Sequence, residues 1–241
     1  IKGCFWVNEA NSLATGSWDK TVRLWDLRTA AATQTAALVE RVYAMDVKFP
    51  FVCVGLAECH NPATQKPERR VSVYDLRSGL ARAVRELASP LRHQTRCVSI
   101  WKGLDGGSPV AWFCFGSVEA RASVRYMDPT IDAKPNRLTP FNFKCHRVSK
   151  TQLYAVNAIE FHPVRHDVFA TAGADGTFTY WDKGLRTKLR DFKSIPHVST
   201  SLTAVKWNES GEWFAYAASY DWSKGVEHYK PGHTREGIWI H

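Results

Sequence analysis

The sequence predicts an all-β fold built from repeated small sheets of antiparallel strands. Endings of the Trp-Asp kind recur at intervals of roughly fifty residues, and each interval contains short runs with strand patterning separated by turn residues. The endings are WDLR at 25–28, YDLR at 74–77, YMDP at 126–129, WDK at 181–183 and an altered form, HYKP, at 228–231. A repeat of this length with several strands is typical of a propeller blade.

The unit that begins at residue 154 has the clearest strand pattern. Apolar residues alternate in VNAIEFHP at 156–163, where His-Pro ends the run. Three further strands are predicted in DVFATAGAD at 167–175, TFTYWD at 177–182 and RTKLRDFK at 186–193. Four strands in a unit with a Trp-Asp ending predict the blade of a WD-repeat β-propeller.

Five such blades fit into the chain, which is predicted to be a single WD-repeat β-propeller domain over residues 1–241. WD-repeat propellers usually have seven blades, and the chain opens on the strand-like IKGCFWV. The intact protein is therefore expected to have seven blades, with two N-terminal blades missing from this sequence. The approximate blades are 1–38, 42–87, 96–147, 154–193 and 202–241.

Two blades share a set of polar residues with a structural interpretation. A strand hydroxyl, a turn carboxylate and an indole N–H at matching offsets can form hydrogen bonds inside a blade, usually together with a His from the preceding connection. No such His is evident in the sequence, so the network is predicted to be incomplete. The residues are Thr15, Asp19 and Trp25 in the first blade and Thr171, Asp175 and Trp181 in the fourth.

Composition restricts the protein class and the partners. The chain is 44% hydrophobic, which can fill a core, and its net charge of +9 favours acidic partners such as nucleic acid, an acidic peptide or a membrane surface. Its six cysteines form no CxxC pair, which indicates reduced thiols rather than disulfides or a zinc site. No apolar run is long enough for a membrane helix, so no membrane insertion is expected.

An enzyme is the less favoured interpretation. The sequence has no GxSxG, HExxH, glycine-rich phosphate loop or paired-carboxylate motif. Cys145-His146 lacks a second ligand cluster, so a packed Cys beside a connector His is favoured over a metal site. His93 and His162 are interpreted as turn or strand-end residues. No catalytic residue, cofactor or metal is expected.

Basic residues cluster on one predicted rim. In a propeller, the turn between the second and third strands of a blade emerges on the same face as the connection to the next blade. This places Arg121 beside Lys144 and Arg147, with Trp18 facing the same way. Such a rim can bind an acidic, partly apolar peptide. An ordinary solvated rim is the alternative, and the pattern alone favours it.

Seven stretches carry a resemblance to a known family. They are TGSWDKTVRLWDLR, SPLRHQTRCVSI, GSVEARASVRYMDP, FNFKCHR, YAVNAIEFHP, AGADGTFTYWDK and AASYDWSKGVEHY. Together they resemble the family of WD-repeat mRNA export factors of the nuclear pore. The resemblance runs from about residue 1 to 230 and covers the last five of that family's seven blades. The related mitotic-checkpoint propeller shares the EGR-type turn and the FKCHR stretch.

The resemblance implies a non-enzymatic adaptor in nuclear mRNA export, located at the nuclear pore complex and able to shuttle to the cytoplasm. Its partner would be an FG nucleoporin whose acidic GLEBS-type motif docks on one propeller face, with mRNP cargo bound weakly or indirectly. The matching basic positions are Arg121 and Lys144. This chain has Ala120 where the family turn has Gly, so a positive φ there would strain the turn and could displace Arg121.

Two other functions stay open at this stage. One is a spindle-checkpoint adaptor that binds kinase peptides of a similar acidic type. The other is direct, non-specific RNA binding by the basic surface, although the sequence has neither RNP-type aromatic residues nor an RGG tract.

Overall fold

The structure, a computed structural model, describes residues 1–61, 63–105, 108–131, 138–192, 200–230 and 236–241. These residues form nineteen β-strands and three short 3-10 helices, which confirms the all-β prediction. Among them, no helix has the length and apolar character that crossing a bilayer requires.

The strands form five antiparallel sheets in which chain neighbours are also sheet neighbours. The first sheet has β1 (Gly3–Val7), β2 (Ser12–Gly16), β3 (Thr21–Trp25) and β4 (Ala32–Ala37). The second has β5 (Val42–Lys48), β6 (Phe51–His60), β7 (Pro67–Asp75) and β8 (Arg85–Ala88). The third has β9 (Thr95–Asp105), β10 (Ser108–Ser117), β11 (Arg121–Tyr126) and β12 (Phe141–Lys144).

The last two sheets lie in the C-terminal part of the chain. The fourth has β13 (Val156–Phe161), β14 (Val168–Gly173), β15 (Phe178–Asp182) and β16 (Thr187–Phe192). The fifth has three described strands, β17 (Leu202–Trp207), β18 (Phe214–Ala218) and β19 (Gly237–Ile240). The 3-10 helices are Asn8–Ala10, Pro129–Ile131 and Val226–His228.

The first four Trp-Asp endings close third strands, at the ends of β3, β7, β11 and β15. The interpretation of HYKP as a fifth such ending is wrong. His228 ends the 3-10 helix Val226–His228, and the Tyr229 N–H donates to the Val226 carbonyl at 3.0 Å. The third strand of this sheet is β19, in which Gly237 pairs with Ala218. Pro231 lies outside the described residues.

The chain divides into two compact units. Unit 1 comprises residues 1–115 and 123–142, and unit 2 comprises 116–122 and 143–241. The single continuous domain over 1–241 stays a prediction.

Unit 1 has two apolar clusters between successive sheets. The first joins β-branched and aliphatic side chains of the first two sheets, including Val22, Val42 and Leu56, all fully buried. The second includes Ile100 and Phe113. Along β3, buried positions alternate with partly buried ones, so the buried side chains lie on one face of the strand.

The core of unit 2 is aromatic. The Phe178 ring on β15 lies 4.5 Å from the ring of Phe192, 5.0 Å from Phe214 and 5.2 Å from Tyr216, measured between centroids. These contacts join β15 and β16 to β18, so the fourth and fifth sheets pack through large rings.

Candidate peptide-binding site

A four-residue hydrogen-bond network fixes one side of the candidate site in unit 2. The His146 Nδ1 atom lies 3.0 Å from Asp175 Oδ1, and its Nε2 atom lies 2.9 Å from Thr171 Oγ1. The Trp181 indole N–H donates to the same hydroxyl at 2.9 Å. Because Thr171 and His146 are buried, each polar group finds its partner inside the network.

The fourth sheet brings these side chains together. Thr171 lies on β14 and Trp181 on the paired strand β15, while Asp175 lies in the turn between them. Burial raises the pKa of Asp175, but hydrogen bonds from His146 and Thr177 and the attraction of His146 outweigh it and leave the pKa below its ordinary value. The carboxyl is therefore held ionised inside the blade.

The prediction of an incomplete network is wrong for this blade, because His146 supplies the missing member. It follows the last strand of the third sheet and adopts a left-handed backbone with φ of 49°. The sequence does contain the signal, a His in the connection that precedes the unit. The interpretation of Cys145-His146 as a packed Cys beside a connector His is consistent with the burial of both residues.

The equivalent residues of the first sheet form a smaller set of bonds. The Trp25 indole N–H donates to Thr15 Oγ1 at 2.8 Å, as predicted from their spacing. Asp19 instead accepts from the backbone and hydroxyl of Thr21, at 3.1 and 2.6 Å. Its ion pair with Arg23 spans 3.3 Å at an exposed position.

The turn between β10 and β11 presents Arg121. Its Ala120 has φ of 55°, the left-handed conformation that the sequence analysis identified as a source of strain. The Ser117 hydroxyl accepts from the Glu119 N–H at 3.3 Å and donates to the Arg121 carbonyl at 3.2 Å, which closes the turn. The Arg121 side chain is 37% exposed, and its Nε lies 3.9 Å from the Glu119 carboxylate.

Arg147 contacts this same turn through its guanidinium group. Its Nε–H donates to the Ala120 carbonyl and its Nη2–H donates to the Glu119 carbonyl, both at 3.2 Å. The Cys145 N–H also donates to the Ala120 carbonyl, at 3.1 Å. The segment after β12 is therefore fastened to the turn that carries Arg121.

A cleft of about 530 Å³ lies beside these elements within unit 2. Lys144 and Arg147 line it together with His146 and Asp175 of the network. Lys144 is exposed, and its ammonium group makes no ion pair or hydrogen bond with any residue in the described part of the chain. The remaining lining residues are Cys145, Val148, Thr177, Thr179, Trp181, Lys188 and Asp191.

The acidic groups of the cleft already have partners. Asp175 is paired with His146, while Asp191 accepts from the Thr179 hydroxyl at 2.9 Å and pairs with Lys188. Val148 is 68% exposed and adds an apolar surface. The cleft therefore offers a lysine cation and an apolar contact to a ligand that carries negative charge.

Trp18 lies in unit 1, whereas Arg121, Lys144 and Arg147 lie in unit 2. Its indole is 59% exposed and meets Tyr43 edge to face, with centroids 6.2 Å apart. The Arg41 guanidinium lies 6.0 Å from the centroid of the same indole. A common rim with Arg121 stays a prediction.

Neither disulfides nor metal clusters occur in the described residues. None of the six cysteines forms a disulfide, and within the part of the chain that is described no group of His, Cys, Asp and Glu could hold a metal ion.

Comparisons with known proteins agree with this architecture. A model of the WD domain, G-beta repeat, matches residues 1–26. The β-propeller domain of Cps50 (Swd1) from Myceliophteria thermophila superposes with a TM-score of 0.63 at 15% identity, covering 90% of this chain and 61% of that one. A chain of a mitotic checkpoint complex gives a TM-score of 0.66 at 13% identity, covering 90% and 57%. At these identities the likeness concerns the fold alone.

Curated relatives are much closer in sequence. The mRNA export factor GLE2 of Chaetomium thermophilum is 42% identical over 88% of this chain and 54% of its own length. Protein Rae1 of Drosophila melanogaster is 40% identical over 91% of this chain and 58% of its own. The mRNA export factor of Danio rerio is 41% identical over 94% of this chain and 69% of its own. The chain thus spans little more than half the length of the first two.

The antiparallel sheets, the Thr–Trp hydrogen bonds and the repeat match define a WD-repeat β-propeller protein. The sequence comparisons place it more narrowly. The chain belongs to the mRNA export factor family.

Proposed function

We propose that the protein is a non-enzymatic adaptor in nuclear mRNA export. In this role it binds an acidic GLEBS-type segment of an FG nucleoporin and thereby tethers mRNP cargo to the nuclear pore complex. The names of its relatives, mRNA export factors, support the process. The nucleus and the nuclear pore are the corresponding location.

The observation that carries the proposal is the charge balance of the cleft in unit 2. Its carboxylates are paired within the protein, whereas Lys144 is exposed without a partner among the described residues. An incoming Glu side chain can therefore pair with Lys144 without displacing an internal partner. Charge-assisted hydrogen bonds of this kind are stronger than neutral ones.

The remaining predicted contacts supply a second cation and apolar surface for the peptide. Arg121 offers a second cation for the acidic segment, from the turn beside Arg147. Val148 in the cleft and Trp18 in unit 1 offer apolar surface to the apolar side chains of the peptide. Removing one member of a desolvated charge pair costs about 2–5 kcal/mol of binding free energy, mostly because the other charge is left unpaired.

Calorimetric titration with the acidic nucleoporin segment tests this proposal. Lys144→Glu and Arg121→Glu should each weaken binding by about 30-fold or more, because each replaces an attraction by a repulsion. Arg165→Glu is the matched control, since Arg165 is an exposed cation of the same unit that does not line the cleft. A peptide whose Glu residues are replaced by Gln should bind weakly to every variant.

Two results would count against the adaptor mechanism. One is the absence of binding by the folded wild-type protein, which would bring the checkpoint and RNA-binding alternatives forward. The other is an equal loss for Lys144→Glu and Arg165→Glu, because it would mean that net charge matters and the cleft does not.

A further inference from the structure

We propose that Arg147 is a positioning residue, whose guanidinium holds the turn of residues 117–121 in the conformation that presents Arg121. This assignment rests on the proposed function, because Arg121 is there the charge partner of the peptide. It differs from the sequence prediction, in which Arg147 itself pairs with the peptide.

The hydrogen bonds of Arg147 connect its side chain to the backbone of the turn. Two of its N–H groups donate to consecutive backbone carbonyls, those of Glu119 and Ala120, each at 3.2 Å. The planar guanidinium presents its donors as a rigid fork, so one side chain can bind two neighbouring oxygens. A lysine ammonium is a point donor on a flexible stem and cannot reproduce this geometry.

The conformation of the turn explains why it needs such support. Ala120 is fully buried and has φ of 55°, which is unfavourable for any residue with a Cβ. Its carbonyl accepts two hydrogen bonds, from the Cys145 N–H and from Arg147. Without the second bond, the turn can relax toward a less strained backbone.

Relaxation of the turn would act on Arg121, the next residue. In the observed conformation the Arg121 Nε lies 3.9 Å from the Glu119 carboxylate, too far for a hydrogen bond. The guanidinium therefore keeps its donors for a peptide carboxylate. A turn that brings Glu119 closer would satisfy Arg121 internally and weaken its attraction for the peptide.

Peptide titrations of Arg147→Lys and Arg147→Met distinguish positioning from direct charge pairing. If Arg147 positions the turn, both variants should lose about fivefold or more in affinity, although Lys keeps the charge. In an Arg121→Gln background, Arg147→Met should then have little further effect. In a Lys144→Gln background, Arg147→Met should still cause most of the loss of peptide affinity that it causes in the wild-type protein. The assignment would be overturned if Arg147→Lys keeps its affinity for the peptide and if Arg147→Met lowers the affinity equally in the wild-type, Arg121→Gln and Lys144→Gln proteins.

Amide hydrogen exchange of the free protein gives a readout that needs no peptide. Arg147→Lys should speed exchange at the amides of Glu119 and Cys145, whose hydrogen bonds belong to this turn, while the midpoint of thermal unfolding stays close to the wild-type value. Unchanged protection there would refute the positioning role even if the peptide binds. Faster exchange in a protein that does not bind the peptide would instead support the role and reject the proposed function.

Discussion

At the scale of single residues, Ala120 shows how opposing contributions to the free energy of unfolding can cancel. Its left-handed backbone costs about 1–2 kcal/mol for a residue with a Cβ. Its methyl group is fully buried, which contributes about 0.8 kcal/mol, and Ala restricts the unfolded chain more than Gly does, by about 0.4–1 kcal/mol. The sum is close to zero.

Ala120→Gly should therefore leave the free energy of unfolding unchanged to within about 1 kcal/mol. Ala122 is the matched control, because it is equally buried but lies in β11 and is absent from the positive-φ residues. Ala122→Gly should destabilise by about 1.5 kcal/mol, since only the unfavourable contributions apply. Urea denaturation measures both values, and equal losses at the two positions would contradict this account.

The same scale shows what sequence spacing could and could not predict. Thr15 with Trp25 and Thr171 with Trp181 bond as their offsets predict, because paired strands fix which side chains meet. His146 was missed because the offsets were compared only within each blade, and it lies 29 residues before Asp175, outside that blade. The two carbonyls bound by Arg147 could not be predicted, since every residue has a backbone carbonyl and the sequence does not show which of them a side chain contacts.

At the scale of structural elements, the fourth sheet links the Asp175 carboxylate to acid stability. Asp175 has a lowered pKa in the folded protein, although burial alone would raise it. The unfolded chain therefore binds a proton more readily than the native one near the ordinary value of 3.8. Stability from this group is present above about pH 4 and is lost as the pH falls through the folded pKa.

Asp175→Asn should consequently flatten the acid side of the stability curve. As the pH falls below about 4, the wild-type free energy of unfolding should decrease more steeply than that of the variant, which is less stable at neutral pH. Glu209→Gln is a suitable control, because Glu209 is exposed and its side chain makes no ion pair or hydrogen bond within the described part of the chain. Parallel curves for Asp175→Asn and wild type would show that the carboxyl does not change its proton affinity on folding.

The strand endings illustrate prediction at this scale as well. The pairs Trp25-Asp26, Tyr74-Asp75 and Trp181-Asp182 lie at the ends of third strands. In the fifth sheet the pattern misleads, because Tyr229 stacks on Trp222 with centroids 5.1 Å apart and belongs to a loop. The letters HYKP resemble a strand ending, but Tyr229 caps a 3-10 helix and contacts Trp222 instead of entering a strand.

At the scale of the whole molecule, the net charge of +9 should accelerate capture of an acidic peptide. Raising the ionic strength from about 50 mM to about 300 mM should lower the association rate constant several-fold and change the dissociation rate constant much less, because salt screens the long-range field. Stopped-flow fluorescence separates the two constants. A salt effect confined to dissociation would argue against electrostatic steering.

The repeated sheets were predictable at this scale because each blade repeats one strand pattern. The predicted placement of Trp18 on one rim with Arg121 stays a prediction, because the two residues lie in different units. The family resemblance extended the prediction from fold to process, and the sequence comparisons confirm the family.

His146 and Asp175 stabilise a blade through their hydrogen bond and also line the cleft. This shared position has an evolutionary consequence. A genetic screen scored only by peptide capture would recover losses at these positions and at Lys144 alike. Only the Lys144 alleles would leave normal amounts of intact protein in the cell. If the cleft binds the proposed peptide, selection for a stable blade and selection for peptide binding act together on His146 and Asp175, whereas Lys144 can change without loss of the blade.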